Sequence, residues 1–265
     1  MKNLLNYFLI FVCGIFIISC ASTAVVKNAW QTNAVVVDGK PDEWQLPLKY
    51  FDSETKLNYF ITNDKENLYV CIRASDVKTQ EKIMRAGMQV YIDTMGKGEK
   101  QVGIEYPLPA SDRTIEEDYG AATKPGEKPD YDRLHAKFLK NNNEMYLSGF
   151  KSTINGRTFL KNSEIVKVNL NWDATNSMTF EAKIPFSSFY KKEITARDSL
   201  KNFGLTMIVN AVAKPKTLTG GPSQPPSGMN GSVGAMGGIP GTAGTPTDPI
   251  HKKNVLKIKI KLAAQ

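Results

Sequence analysis

Short apolar segments separated by turn residues recur along most of this chain of 265 residues. Leu57–Thr62 and Leu68–Ala74 flank a polar stretch at 63–67, which is the pattern of a β-hairpin. Helical periodicity is confined to two short pieces, near Lys78–Arg85 and Phe186–Tyr190. The other predicted strands are Val35–Val37, Met88–Thr94, Gln101–Leu108, Leu134–Lys140, Met145–Phe150, Thr158–Leu160, Ile165–Trp172, Met178–Ile184, Leu205–Val212 and Val255–Leu262. The pattern predicts an all-β fold, an antiparallel β-sandwich.

Two segments interrupt the strand pattern. Residues 109–133 are polar, with few large apolar side chains, and we expect a long loop there. Between residues 220 and 249, 9 of the 30 residues are Gly and 6 are Pro. Such a stretch buries too little apolar surface to offset its ordering entropy, so we expect a flexible Gly/Pro-rich insertion. Because loop closure costs grow slowly with length, a single sandwich domain over 30–265 can accommodate it.

The N-terminus has the layout of an export signal. Lys2 precedes the apolar run Leu4–Ile18, which ends at a small residue followed by Cys20. A membrane-spanning helix needs roughly 20 apolar residues, more than this run supplies. A positive residue, an apolar stretch and a small residue are instead the three parts of a secretory signal peptide. The cysteine makes the segment resemble the lipobox of bacterial lipoproteins, which implies a signal peptide over 1–19, lipidation of Cys20 and a lipidated tether over 20–29.

Cysteine usage limits how the exported chain can be stabilised. Of the three cysteines, Cys13 leaves with the signal and Cys20 is the predicted lipid site. Cys71 is then the single remaining thiol, so no internal disulfide can form and the core alone must hold the domain together. Since Cys71 lies in an apolar predicted strand, we expect it to be a buried small hydrophobe.

The residues near the lipid site and the charge pattern indicate compartment and partners. Ala21 follows Cys20 where some inner-membrane lipoproteins carry an aspartate, so we expect the outer membrane. Few acidic residues follow Cys20, which by resemblance to known export signals slightly favours the periplasmic face over the cell surface. The formal net charge of +8 is spread along the chain. The alternating lysines of Leu256–Lys261 are typical of a solvated sheet face. An exported lipoprotein meets little nucleic acid, and we expect no nucleic-acid binding.

Five segments then follow one another in a recognisable order. In the first, Val37–Trp44, an Asp-Gly turn precedes Asp-Glu-Trp. The other four are Asn67–Asp76, Met88–Thr94, Phe180–Phe186 and Phe203–Asn210. Together they resemble family 9 carbohydrate-binding modules and the related DOMON-like sandwiches, over about residues 35–212. The resemblance implies a β-sandwich and carbohydrate binding.

The first of these motifs is predicted to determine the fold. The residues concerned are Asp38, Gly39, Asp42, Glu43 and Trp44. The Asp-Gly pair permits a sharp turn. We expect Trp44 to close one end of the sandwich, with its indole N–H needing a partner.

Sugar binding requires aromatic rings that stack on apolar sugar faces. Members of the resembled family clamp a sugar between two exposed tryptophans, but no tryptophan occupies the loop after Asp76 here. Trp172, at a predicted strand end, is the expected exposed ring, and Tyr106, Tyr119 and Tyr131 around the polar loop are further candidates. A glycan is the first expected ligand. The alternative is an envelope protein, contacted through the Gly/Pro-rich insertion and the basic terminal strand.

Cofactor and catalytic signatures are weak. Some DOMON-like domains bind haem, but only His135 and His251 are available and there is no Cys-x-x-Cys-His, so haem is a remote alternative. Four acidic residues near turns could contribute to a structural Ca²⁺ site, namely Asp38, Asp42, Asp76 and Asp93. Their spacing matches no known Ca²⁺-binding loop, so roles in turns and helix caps are the default expectation. We predict no cofactor. Since neither a facing carboxylate pair nor a catalytic motif is apparent, we expect no enzymatic activity.

Overall fold

The computed structural model describes residues 25–110, 130–151, 153, 155–214 and 248–264. The strands are β1 (Val25–Lys27), β2 (Ala29–Trp30), β3 (Tyr50–Asp52), β4 (Leu57–Asn63), β5 (Asn67–Ala74), β6 (Met88–Asp93), β7 (Val102–Glu105), β8 (Glu144–Ser148), β9 (Gly156–Phe159), β10 (Lys167–Trp172), β11 (Met178–Pro185), β12 (Phe203–Val209) and β13 (Asn254–Lys261). The α-helices in these residues are α1 (Val77–Ala86) and α2 (Tyr131–Asn141). Neither helix in this part of the chain has the length and apolar character needed to cross a membrane.

The strands form two sheets. One has seven strands in the order β1-β13-β12-β6-β7-β8-β9, and the other has six, β10-β11-β5-β4-β2, with β3 also paired to β4. Every pairing is antiparallel except β1 with β13 and β2 with β4. Apolar side chains from both sheets pack into one shared core. The predicted all-β sandwich is confirmed, with two short parallel pairings added to it.

The six-stranded sheet is covered on both faces. In β5, Leu68, Val70 and Ile72 face the shared core, and Tyr69 and Cys71 lie on the opposite face. There they pack in a separate small cluster that also contains Trp44 and Leu48. Trp44 therefore covers the outer face of the sheet, and the expectation that it closes an end of the sandwich is wrong. Cys71 is fully buried as predicted, and burial raises the pKa of its thiol.

Two of the predicted strands are not strands. The segment Leu134–Lys140 lies within α2, so the predicted loop 109–133 ends in a helix. Asp130 caps this helix by accepting a hydrogen bond from the Arg133 backbone N–H at 3.1 Å. Val35–Val37 runs across the outer sheet face, where the Asp38 backbone N–H donates locally to the Val36 carbonyl instead of joining a ladder.

The other element predictions hold. Each remaining predicted strand overlaps an observed one, and the two predicted helical pieces correspond to α1 and to a 3₁₀ turn at Phe186–Ser188. β12 and β13, which flank the predicted insertion, pair directly with each other. The predicted signal peptide, Cys20, residues 111–129 and residues 215–247 lie outside the described residues.

Candidate ligand groove

A buried carboxylate holds the first sequence motif against the six-stranded sheet. Glu181 on β11 is 0% exposed, and its Oε2 accepts hydrogen bonds from the backbone N–H groups of Asp38 at 3.1 Å and Gly39 at 2.8 Å. The Trp44 indole Nε1–H donates to Glu181 Oε1 at 2.6 Å. Burial raises the pKa of Glu181 to about 7, and the three hydrogen bonds limit the rise. These contacts fit the interpretation of the motif as a fold determinant.

The Asp-Gly turn needs its glycine. Gly39 has φ +79°, and a Cβ there would lie 2.6 Å from the backbone nitrogen of Asn171. The turn therefore packs directly against the end of β10. Of the remaining motif acids, Asp42 is exposed, while Glu43 is partly buried and accepts a hydrogen bond from the Val36 N–H at 3.4 Å.

A groove of about 610 Å³ lies at the same end of β10. One wall is the first turns of α2, with Asp130, Tyr131, Asp132 and His135. The other wall is the end of β10 and the turn after it, with Asn171, Trp172, Asp173 and Asn176. The structure thus brings together two of the predicted ligand residues, Tyr131 and Trp172.

Aromatic rings form a continuous row along the groove. The His135 ring stacks on Trp172 with centroids 3.9 Å apart and planes 7° from parallel. Phe138 meets Trp172 edge-on at 5.6 Å, and Tyr131 lies 6.0 Å from His135. Trp172 is half-buried, with one face covered by His135, so it is less open than the sequence suggested. Tyr131, at the other end of the row, is 39% exposed.

His135 is buried without a hydrogen bond. It is 8% exposed and lines the groove, and among the described residues neither ring nitrogen has a hydrogen-bond partner. Burial lowers the pKa of His135, and the nearby carboxylate of Asp132 opposes this shift only partly. The ring is therefore neutral at pH 7, with one N–H donor and one acceptor nitrogen. The sequence suggested an ordinary structural role for His135, because the segment was predicted to be a strand.

The opposite wall is rigidly built. Asp173 Oδ1 accepts hydrogen bonds from the Thr175 N–H at 2.8 Å and the Ser177 N–H at 3.1 Å, and its Oδ2 pairs with Arg73. Gln80 on α1 accepts from the Trp172 indole N–H at 2.8 Å and donates to the Asn176 carbonyl at 2.7 Å. Through Gln80, helix α1 therefore holds in place both the Trp172 ring and the turn that follows β10.

The remaining predicted ligand residues are not in the groove. Tyr106 is 1% exposed, packs 6.5 Å from the Phe180 ring and donates its hydroxyl to the Asn142 carbonyl at 3.1 Å. It is a core residue with no surface to offer a ligand, so its assignment as a ligand contact is wrong. Tyr119 lies outside the described residues.

The candidate metal and haem ligands have other roles. Asp76 caps α1 through the Thr79 N–H at 2.8 Å, and Asp93 accepts from the turn N–H groups of Met95 and Gly98. Within the described ranges, no three His, Cys, Asp or Glu side chains cluster as a metal site. His251 Nδ1 lies 2.8 Å from the Val212 carbonyl, and His251 is not part of the groove that contains His135.

Comparison with known proteins found distant structural likenesses. Two solved structures are of a family 9 carbohydrate-binding module from Caldicellulosiruptor kristjanssonii, one in complex with glucose and one with cellotriose. Identity to this chain is 10% and 11%, over 91% and 92% of this chain and 96% and 95% of theirs, with a TM-score of 0.38 in both cases. No protein-family profile and no curated protein matches the chain. At this TM-score the likeness does not assign a ligand to the groove.

Proposed function

We propose that this protein is a non-catalytic glycan-binding module of the bacterial outer membrane, anchored by a lipid on Cys20. The observation that supports glycan binding most directly is the groove between α2 and β10. It combines an exposed tyrosine ring with a buried histidine whose ring nitrogens are unpartnered in the described structure. Its volume of about 610 Å³ is in the range of small-molecule sites, roughly 300–1,000 Å³.

The groove offers both kinds of contact that a sugar needs. The apolar C–H face of a pyranose can stack on Tyr131, which is the open ring of the aromatic row. Sugar hydroxyls both donate and accept, and the neutral His135 ring supplies one donor and one acceptor. The carboxylates of Asp130 and Asp132 accept, and the amide of Asn176 does both. Sugar hydroxyls can also bond to the ring nitrogens of His135, which open onto the groove and have no partner among the described residues.

Trp172 has a supporting role in this proposal. One of its faces is covered by His135, and its N–H is held by Gln80. From its place in the β10 wall it positions the histidine ring. The direct contacts then come from α2 and its N-cap Asp130, and from Asn176 on the opposite wall.

Binding is tested by calorimetry on the mature protein in a detergent without a sugar headgroup, titrated with a panel of neutral, amino and acidic oligosaccharides. Tyr131→Ala is expected to weaken binding at least about tenfold, because stacking on the ring is lost. Tyr146→Ala is the matched control, since Tyr146 is 42% exposed on β8 and lies outside the groove. The Tyr146→Ala variant should bind each oligosaccharide with the affinity of the wild type.

A second variant separates hydrogen bonding from packing. His135→Phe keeps an aromatic ring against Trp172 but removes both ring nitrogens. We expect about tenfold weaker binding with little change in Tm. A folded protein that binds no glycan in the panel, or an equal loss in Tyr131→Ala and Tyr146→Ala, would exclude this groove as the glycan site.

The lipid anchor is supported by the signal and cysteine pattern. β1 begins at Val25, so the chain between Cys20 and the sandwich spans at most about 17 Å. The module would then sit close to the membrane, at its periplasmic face. The wild type should incorporate labelled palmitate and Cys20→Ala should not, whereas equal incorporation, or none in the wild type, would contradict lipid anchoring.

A further inference from the structure

The groove carries a local charge opposite to that of the whole chain. Among the described residues three carboxylates line it, those of Asp130, Asp132 and Asp173, whereas the chain as a whole has a formal net charge of +8. Asp173 is neutralised by its ion pair with Arg73. In the described structure, Asp130 and Asp132 form no ion pair, and no lysine or arginine lines the groove. Two uncompensated negative charges therefore face whatever occupies it.

An acidic pair alone is often only a solvated surface, but this one adjoins a buried group that lacks a partner. His135 is nine-tenths buried, lines the same groove and, in the described part of the chain, has no hydrogen bond to either ring nitrogen. The ring is covered on its faces, but its nitrogens are not among the buried unpartnered atoms of the described residues, so they open onto the groove and are free to bind a ligand there. This indicates that the acidic residues belong to a ligand site.

The helix dipole works against these charges only weakly. The N-terminus of α2 contributes roughly half a positive charge. Asp130 at the N-cap and Asp132 in the first turn together contribute about two negative charges, so the sum remains negative. The exposed ring of Tyr131 beside them can also attract a cation over its face.

We propose that the groove prefers amino sugars, whose protonated amine pairs with Asp130 and Asp132, over neutral sugars, and that it rejects uronic acids. This rests on the proposed function, since it names the sugar class for the same groove. The ammonium group adds an attraction that a hydroxyl lacks, while a uronate carboxylate meets two like charges. Because the groove is open to water, the preference is modest and sensitive to salt.

The test uses three β-1,4-linked trisaccharides, of glucosamine, of glucose and of glucuronic acid, at a pH at which the amine is protonated. Titrated into the mature protein at low ionic strength, the glucosamine trimer should bind about tenfold more tightly than the glucose trimer. The glucuronic acid trimer should bind more weakly than both. In 1 M NaCl, where the screening length is about 3 Å, the tenfold preference should fall to about twofold.

Variants without the two charges test whether the preference for the glucosamine trimer comes from Asp130 and Asp132. Asp130→Asn and Asp132→Asn together should bring the affinity ratio of the glucosamine trimer to the glucose trimer from about tenfold to about one, whatever their effect on the glucose trimer itself, and asparagine preserves the helix cap. Asp42→Asn is the matched control, because Asp42 is exposed and lies outside the groove. A preference that survives the double substitution would overturn the role of these carboxylates.

The outcomes also separate this inference from the function it rests on. If the glucose trimer binds and the glucosamine trimer binds no more tightly, the charge inference is overturned and glycan binding stands. If none of the three trimers binds a folded protein, the charge inference fails together with the glycan proposal for this groove.

Discussion

At the scale of single residues, Glu181 has the most consequential environment in the molecule. Its carboxylate has no contact with water, and it is surrounded by three N–H donors from a segment far away in sequence. The three N–H groups favour the ionised carboxylate, because both oxygens then accept, but burial outweighs them and raises the pKa of Glu181 to about 7. The first motif thus attaches to the sheet through one side chain.

Glu181→Gln should lower the free energy of unfolding by about 2 kcal/mol. The amide nitrogen cannot accept, so it must face either the Trp44 N–H or the two backbone N–H groups and leave them without a partner. Urea unfolding measures the change. Glu54→Gln serves as the control, since Glu54 forms an exposed ion pair with Lys252 and should cost less than about 0.5 kcal/mol. Equal effects of the two substitutions would contradict the role given to Glu181.

Stability should also depend on pH through Glu181. Its pKa rises from 4.5 to about 7 on folding, so between these values the folded state keeps a proton that the unfolded state releases. Its contribution is fully present below 4.5 and is lost as pH rises through about 7. The lowered pKa of His135 acts in the opposite direction. Comparing wild type with Glu181→Gln from about pH 5 to about pH 8 isolates the glutamate: the stability advantage of the wild type should shrink with rising pH, and parallel curves would refute the assignment.

At the scale of elements, the hairpin β4–β5 shows what local pattern can establish. Both strands are long apolar runs, and the turn between them is held by Asp64, which accepts from the N–H groups of Glu66 at 2.7 Å and Asn67 at 2.6 Å. Its ends were predicted to within about a residue because run length, turn composition and capping all agree. The short β1, β2 and β3 carried no comparable signal.

Helix α2 shows where such reasoning fails. Leu134, Ala136 and Phe138 alternate with polar residues and suggested a strand, yet Tyr131, His135 and Phe138 are spaced for one face of a helix. A run this short fits both the two-residue period of a strand and the 3.6-residue period of a helix. The deciding signal was at its start, where Asp130 can cap the first turn.

Asp130→Ala should therefore destabilise α2 by about 1 kcal/mol, while Asp130→Asn should leave it nearly unchanged. The alanine removes the acceptor of the Arg133 N–H, whereas asparagine retains one. Amide hydrogen exchange in the first turn of α2 gives the readout. Faster exchange in both variants would point to charge instead of capping as the stabilising factor.

At the scale of the whole molecule, the groove combines residues whose roles as ligand contacts could not be told apart from the sequence alone. Tyr106 and Tyr131 flank the same polar segment, but one ends in the core and the other at the rim of the groove. What separates them is tertiary packing: Tyr106 follows a central strand, and Tyr131 opens a helix that lies against β10. The sequence could predict Trp172 as a site residue from its place at a strand end. It could not predict His135, because the stacking of His135 on Trp172 depends on how α2 packs against β10.

Trp172 is the residue on which that docking depends, since it touches α2 through His135 and Phe138 and α1 through Gln80. Trp172→Ala should lower the free energy of unfolding by about 3 kcal/mol, near the lower end for a buried tryptophan because the ring is only partly buried. Trp172→Phe keeps a ring under His135 and loses only the hydrogen bond to Gln80, so about 1 kcal/mol is expected. Under native conditions the alanine variant should show much faster hydrogen exchange in α2 than in β4 and β5, whose contacts lie elsewhere in the core. If exchange instead rose equally in helix and sheets, α2 would unfold only with the whole sandwich, and the groove could not be treated as an element docked onto a stable scaffold.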